Sequence, residues 1–407
     1  MAEEKISVEE QLALIKENLQ ETLNQDIIEE VLKKGEPLKI YWGTATTGRP
    51  HCGYFVPGLK LAQFLQAGCH VKVLLADIHG FLDNLKAPIE LVKYRAEYYR
   101  FVITALLKAV QVPIDRLEFV LGSSYQLTPE YTMDLFRLSS VVTEHDAKKA
   151  GAEVVKQVEN ATLSGLIYPL MQALDEEYLK VDAQFGGVDQ RKIFALAKEV
   201  LPRVGFKERA HLMNPMVPGL QGGKMSASDP DSKIDLLDTP DVVRRKLKKA
   251  VCTPKEVEGN GVLSFTEYVL LPASTLQYGT PKFIVPRRDA ETLVYTTIDE
   301  MNRDYAADIL KPQDLKPAVT EALISLLEPI QAEFNVSPEW KDVELKAYPP
   351  PPAPPKKEKK KKDKGTFYPR KAEAKADGHV KDADKGKVSA GQDGGTEAIQ
   401  KLQISDK

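Results

Sequence analysis

His51 stands in residues 41–54, which read Tyr-Trp-Gly-Thr-Ala-Thr-Thr-Gly-Arg-Pro-His-Cys-Gly-Tyr. A histidine among Gly43, Gly48, Pro50 and Gly53 suits the holding of an anion, because a glycine-containing loop entering a helix leaves backbone N–H groups free to face a phosphate. The loop is not a P-loop, since it lacks the Gly-Lys-Ser/Thr ending, nor a G-x-G-x-x-G fingerprint. Taken alone it also reads as an ordinary strand-to-helix turn. A second chemical group is Tyr168, Gln172 and Asp175, spaced i, i+4 and i+7, hence on one helix face. Apolar Leu166, Ile167, Leu170, Leu174 and Leu179 surround them, and burying that polar face without partners would be costly. It therefore marks a candidate polar pocket. The third group is Phe185-Gly186-Gly187-Val188-Asp189-Gln190, where glycines admit close backbone approach and the acid suits a ribose hydroxyl.

The elements that must position these groups follow from periodicity. Leu38, Ile40 and Trp42 alternate as in a short strand, and Phe55, Leu59, Ala62, Phe64 and Leu65 recur at helical spacing until Gly68. Residues 71–76 read as a buried parallel strand ending at Asp77, beside the expected crevice. His79 follows, and a lone histidine is open to a structural or a functional reading. A helix over 88–110 carries a half-buried stripe including Tyr94, Arg95, Tyr98, Tyr99 and Arg100, and 119–122 is the next strand. Thr128-Pro129-Glu130 opens another helix, and 133–156 leaves the βαβ rhythm as a helical insertion. Residues 181–184 form a short strand ahead of the glycine pair. At the start, Ser7 with Glu10 is a capping-box pattern before an amphipathic helix, and 27–34 is a second helical segment ending at Gly35. After Thr239-Pro240, an N-cap and N1 pair, a helix bears Arg244, Arg245, Lys246, Lys248 and Lys249, either a solvated face or an RNA contact. A later helix covers about 313–334.

At 407 residues the chain has room for two domains and a tail. Its net charge of −3 excludes a general polycation, so any nucleic-acid surface is local. Cys52, Cys69 and Cys252 are too few and scattered for a disulfide framework or zinc site and suggest a reducing compartment. No apolar run reaches membrane-spanning length, and the acidic N-terminus lacks a targeting pattern, so a cytoplasmic location is expected.

A further stretch, Gly222-Gly223-Lys224-Met225-Ser226-Ala227-Ser228, completes the pattern. A His-x-Gly-x loop after the first strand and a Lys-Met-Ser-x-Ser loop after the last resemble the HIGH and KMSKS signatures of class I aminoacyl-tRNA synthetases. Here they read HCGY at 51–54 and KMSAS at 224–228. The likeness is greatest to cytoplasmic, eukaryote-type tyrosyl-tRNA synthetases and covers about 9–348. It implies an α/β fold, with a helical lead-in at 1–36 and a Rossmann-like parallel-sheet catalytic domain at 37–231. A helical dimer-interface insertion at about 125–160, a mostly helical anticodon-binding domain at 232–347 and a disordered basic tail at 348–407 complete it.

The resemblance also assigns roles. ATP and L-tyrosine would be substrates, with Mg²⁺ carried on the ATP phosphates rather than in a protein metal site. A cognate tyrosine tRNA would be the macromolecular partner, and the chain a homodimer. His51 and the amides around Gly53 would face the triphosphate, while Lys224, Ser226 and Ser228 would close over the leaving pyrophosphate. Gly43, Gly186, Gly187, Asp189 and the backbone of Met216 and Val217 would hold the nucleotide. Tyr41 and Asp175 would pair with a phenol hydroxyl, and Tyr168, Gln172 and Gln190 would grip the amino and carboxylate groups.

Tyr54 and Ala227 stand where the signatures carry a second His and a second Lys. Eukaryote-type tyrosyl enzymes depart in the same way. A tryptophanyl-tRNA synthetase is one alternative, although an indole needs only one acceptor. An RNA-binding protein on a synthetase scaffold is another, its working part being the tail. There 349–355 is nearly all proline, and 356–364 holds seven lysines with one Glu and one Asp. This composition reads as disordered, serving as a solubilising tail, an electrostatic arm for RNA or a nuclear-localisation patch.

Overall fold

A computed structural model describes residues 6–83, 88–154, 162–219, 233–288 and 290–350. The KMSAS signature and the basic tail lie outside the described residues.

The centre is a six-stranded sheet built from β1 (Glu21–Leu23), β2 (Lys39–Ala45), β3 (His70–Ala76), β4 (Leu117–Leu121), β5 (Ala183–Gly187) and β6 (Ala210–Asn214). Their order is β1-β6-β5-β2-β3-β4. From β6 to β4 every pairing is parallel. Helices cover such a sheet on both faces, which is why β3 is apolar along nearly its whole length. The chain runs from β2 outward through β3 and β4, then returns to place β5 on the other side of β2. That reversal opens a crevice at the carboxyl ends of β2 and β5, where an open α/β sheet takes its ligand.

Two features differ from expectation. The lead-in contributes not only helices but β1, which pairs antiparallel with the edge strand β6. Gly186 and Gly187 lie within β5 rather than after it, because their backbones pair with Met213 and Asn214. The stripe on the helix Ile89–Ala109 is half-buried as expected, with Tyr98 and Tyr99 inside, Arg95 and Arg100 partly covered and Tyr94 exposed.

Local signals act as the sequence suggests. The capping box at Ser7 and Glu10 starts the helix Val8–Lys16, and Thr128 caps Pro129–Ser139 through the Tyr131 amide. Lys60, buried, donates to the carbonyls of Leu14 at 2.9 Å and Glu17 at 2.7 Å, pinning the end of the first helix to Phe55–Gln66. Beyond 233 the chain is mainly helical, with a two-stranded hairpin of β7 (Phe283–Val285) and β8 (Leu293–Tyr295). The last described helix, Pro338–Ala347, inserts the fully buried Trp340 against Phe101, with rings stacked at 5.4 Å.

Candidate active site

The helix Leu163–Tyr178 lies across the crevice and presents its polar face to β2. Tyr41, fully buried on β2, donates its hydroxyl to the Gln172 carbonyl at 3.1 Å. Gln172 Nε2 donates to Gln190 Oε1 at 2.7 Å, joining the pocket helix to the turn after β5. Asp175 is fully buried, and its Oδ1 accepts from Gln126 Nε2 and from the Tyr131 hydroxyl, both at 2.9 Å. Its Oδ2 is buried with no hydrogen-bond partner. Burial pushes the Asp175 carboxyl up to about 7, although the bonds it accepts from its neighbours oppose the shift. The structure thus gathers Tyr41, Gln172, Asp175 and Gln190, but Tyr41 bonds to the Gln172 backbone rather than to Asp175.

Tyr168 packs edge-on against His79, with ring centroids 4.6 Å apart. His79 is buried, its Nε2 lies 3.8 Å from Asp175 Oδ2, and burial drops its pKa to about 4. The imidazole is therefore neutral and forms a wall of the pocket. Asp77, at the end of β3, accepts the Ser123 amide at 2.8 Å and so has a structural task. Reading the sequence missed Gln126 and Tyr131, because only tertiary packing brings them to Asp175. It also missed Glu176, fully buried and bonded to His211 at 2.8 Å on the other side of the helix.

On the other half of the crevice, His51 caps the short turn Cys52–Tyr54 by accepting the Gly53 amide on Nδ1 at 3.1 Å. That bond fixes the proton on Nε2, leaving a neutral donor. Burial, helped by nearby Lys233 and opposed by Asp235, lowers its pKa to about 4. The expectation that amides around Gly53 are free for an anion fails here. Cys52 N–H donates to the Ile234 carbonyl at 2.8 Å, Gly53 N–H to His51, and Tyr54 N–H to the His51 carbonyl at 2.8 Å. A helix start capped by its own residues and by a carbonyl of a neighbouring segment has no donors to spare. Cys52 is buried, and burial raises its thiol to about 12, so it is no nucleophile.

Tyr54, in place of the second signature histidine, is enclosed in a chain of hydroxyls. Its Oη lies 3.2 Å from Thr44 Oγ1 and 3.2 Å from the Tyr99 hydroxyl. It supports the loop from inside. Lys224, Ser226 and Ser228 lie outside the described residues, but the segment after them returns to the first signature, where Asp235 bridges His51.

Gly43 is half-buried on β2, and an added Cβ would meet only ordinary contacts, 3.7 Å from Leu74 and Tyr41. Protein packing therefore does not demand glycine there. At Gly186 it does, because a Cβ would come within 2.9 Å of both Phe194 Cζ and Gln190 Oε1. Gly187, Asp189 and Gln190 are half-buried at the crevice end of β5, and Met216 and Val217 follow β6, Met216 being half exposed. On the basic helix Pro240–Lys249, Arg244 pairs with Glu321 through two bonds of 2.9 and 3.1 Å, and buried Lys246 pairs with Asp238 at 2.6 Å. These two cations serve the fold.

Comparison with known proteins points the same way as this geometry. Residues 33–328 match the family model described as tRNA synthetases class I (W and Y). The chain is 58% identical over 367 residues to the cytoplasmic tyrosine–tRNA ligase of Saccharomyces cerevisiae, covering 88% of this chain and 93% of that protein. It is 57% identical over 348 residues to the cytoplasmic tyrosine–tRNA ligase of Danio rerio, spanning 85% of this chain but only 64% of that longer protein. Among solved structures, tyrosyl-tRNA synthetase from Archaeoglobus fulgidus complexed with L-tyrosine superposes with a TM-score of 0.74 at 36% identity, covering 80% of this chain and 99% of that one.

Proposed function

The chain belongs to the class I tRNA synthetases of the tryptophan and tyrosine type, and from that premise we propose that it is a tyrosine–tRNA ligase. The observation that carries the choice of amino acid is Asp175, a fully buried carboxylate with one oxygen bonded and the other without a partner. A phenol hydroxyl satisfies that oxygen, whereas phenylalanine would leave it bare. Tyr41 then exchanges its bond to Gln172 for the phenol oxygen, so the substrate hydroxyl both donates and accepts. Tryptophan has an N–H to donate but no acceptor for Tyr41.

Gln172 and Gln190 are joined through Nε2 and Oε1. This leaves the side-chain Oε1 of Gln172 for the substrate ammonium and the side-chain Nε2 of Gln190 for its carboxylate, with Tyr168 beside them. The carboxylate oxygen attacks the α-phosphorus of ATP, the α–β phosphoanhydride breaks, and pyrophosphate leaves. A terminal ribose hydroxyl of the tRNA then attacks the tyrosyl carbonyl, and AMP leaves. Neither step needs a protein nucleophile, so the protein positions the reactants and stabilises phosphate charge. His51 offers Nε2–H, while Lys224, Ser226 and Ser228 act on the pyrophosphate side by their motif. Gly43, Gly53, Gly186, Gly187, Asp189 and the backbone of Met216 and Val217 line the nucleotide. Mg²⁺ arrives with ATP and neutralises phosphate charge.

The partner is tyrosine tRNA, and the names of the relatives support a cytoplasmic location. Among the described residues no helix is long and apolar enough to cross a membrane. Exposed Leu127, Met133 and Phe136, 68%, 59% and 61% accessible in the helical insertion, support a homodimer, which sedimentation velocity reads directly. ATP–pyrophosphate exchange with each amino acid in turn tests the main reading. Strong exchange with tyrosine alone is expected, and equal exchange with tryptophan would overturn it.

A further inference from the structure

The loop that carries His51 is held from behind by the end of the last described helix. Tyr348, one residue past Pro338–Ala347, donates its hydroxyl to the Gly48 carbonyl at 2.8 Å, and Tyr99 donates to the same oxygen at 2.8 Å. Arg95 donates to the Thr47 carbonyl at 2.6 Å and to the Ala347 carbonyl at 3.3 Å. Arg49 reaches in two directions, from Nε to Asp235 at 2.9 Å and from Nη2 to Glu344 at 2.7 Å. Its guanidinium also lies over the Tyr98 and Tyr348 rings, 5.5 and 5.0 Å from their centroids. Two successive carbonyls and the next side chain are thus fixed by groups far away in sequence.

We propose that Arg49, Glu344 and Tyr348 form a strap that positions the nucleotide-side loop, making the end of the helical region a working part of tyrosine activation. The proposal rests on the reading of the chain as a tyrosine–tRNA ligase. None of the three is a catalytic residue; they act through the loop. Arg49 comes two residues before His51, and Asp235, which it holds, bridges His51 while neighbouring Ile234 accepts the Cys52 amide. Loss of the strap frees the loop backbone, and with it the direction of the His51 Nε2–H. The amino-acid pocket is built from the other side of the crevice and does not depend on it.

The test uses the full chain with Arg49→Ala, Glu344→Ala, their double variant and Tyr348→Phe. Tyrosine-dependent exchange is measured alongside hydrogen exchange of the amides over 46–53. Arg49→Ala should lower kcat by roughly 100-fold, the scale of a loop misplaced by about 1 Å. Tyr348→Phe, which keeps the ring, should lower it about 5-fold, as for one lost hydrogen bond. KM for tyrosine should stay unchanged in each, and the double variant should be no worse than Arg49→Ala, because the two act as a unit. The Cys52 and Gly53 amides should lose protection. Unchanged kcat and protection in Tyr348→Phe and Glu344→Ala would overturn the strap even if Arg49→Ala fails to fold. Losses that fall on KM for tyrosine, or that simply multiply in the double variant, would overturn it too. Absence of tyrosine exchange in the unaltered protein would instead sink the functional reading. The amide protection would then judge the loop contacts separately.

Discussion

The two halves of the crevice are built differently. On the amino-acid side Tyr41 and Asp175 are sealed from solvent and tied into a bonded set, around which Asp175 Oδ2, the His79 Nε2 beside it, Gln126 Oε1 and the Tyr125 hydroxyl are buried without a partner. On the nucleotide side His51, Gly187, Asp189 and Gln190 are half-buried, and the amides of the turn are already bonded within the protein. On the proposed assignment of the two sides, the difference follows from the tasks. Telling one amino acid from another that lacks only a hydroxyl requires a dry site with a fixed, unmet bond, and tyrosyl-tRNA synthetases reject phenylalanine in this way. Phosphate chemistry needs groups that meet charge as it develops, so its geometry matters most in the transition state.

Asp175→Asn should break the first half most severely. The amide keeps an oxygen for Gln126 and Tyr131 but presents an NH₂ where the phenol proton must go. Tyrosine-dependent kcat/KM should fall by roughly 1,000-fold or more while phenylalanine barely changes, collapsing discrimination of the kind a hydroxyl-binding site provides. Measuring exchange with both amino acids decides it. Retained selectivity would place the specificity elsewhere.

His51→Ala addresses the second half. It should lower the rate of adenylate formation about 100-fold, the scale for one preorganised donor to an oxyanion. Tyrosine affinity should stay as it was. Lys224→Ala should show the same signature, because a group acting late affects the rate rather than ground-state binding. Single-turnover kinetics with a separate tyrosine titration distinguishes the two. A large loss of tyrosine binding would contradict the division between the halves.

What could be read from the sequence divides along the same line. The strands at β2 and β3, the polar face of the pocket helix and the His51 loop were legible because periodicity and glycine placement are local. The strand β1 was not, since three residues between two helices are too short for a period to emerge. Gln126 and Tyr131 were invisible as partners of Asp175 because a glutamine and a tyrosine in a helical insertion carry no local mark of their contact. The bonded amides around Gly53 were likewise hidden. Whether an N–H is free depends on a carbonyl, here that of Ile234, more than 180 residues away. Neither Tyr348 nor Glu344 stands out from an ordinary helix end until the fold sets it beside Gly48 or Arg49.

A smaller effect tests how far the pocket is strained without its substrate. Burial raises the Asp175 carboxyl to about 7 from an ordinary value of 3.8. A carboxyl raised on folding contributes stability that is fully present below its unfolded pKa and is lost as pH rises through its folded one. Across pH 4 to 7 the ligand-free protein should therefore lose a few kcal/mol from this group as pH rises. Asp175→Asn has no such dependence, so its melting temperature should exceed that of the unaltered protein by more at pH 8 than at pH 5. Parallel melting curves at the two pH values would show that the carboxylate finds a partner or water when charged. Saturating tyrosine should shrink the difference by meeting the bare oxygen.

The smallest effect expected on activation comes from removing the tail. Residues 349–407 lie almost wholly outside the described residues, so composition alone speaks for them. Seven lysines and two acids over 356–364 give a local charge of about +5, enough to engage several phosphates without reading sequence. Ending the chain after Tyr348 keeps the strap on Gly48 and should leave tyrosine-dependent exchange unchanged. It should weaken tRNA binding and flatten its salt dependence, while preference for the cognate tRNA persists because the folded part reads identity. Ending the chain one residue earlier removes the Tyr348 hydroxyl together with the ring under Arg49 and should lower exchange by more than the few-fold of Tyr348→Phe. The pair of truncations, compared for exchange and for tRNA binding across salt, separates a residue that shapes the nucleotide side from a tail that only attracts RNA. Equal exchange in both would make Tyr348 part of the tail. Identical tRNA binding and charging at every salt concentration would make the tail a solvated appendage.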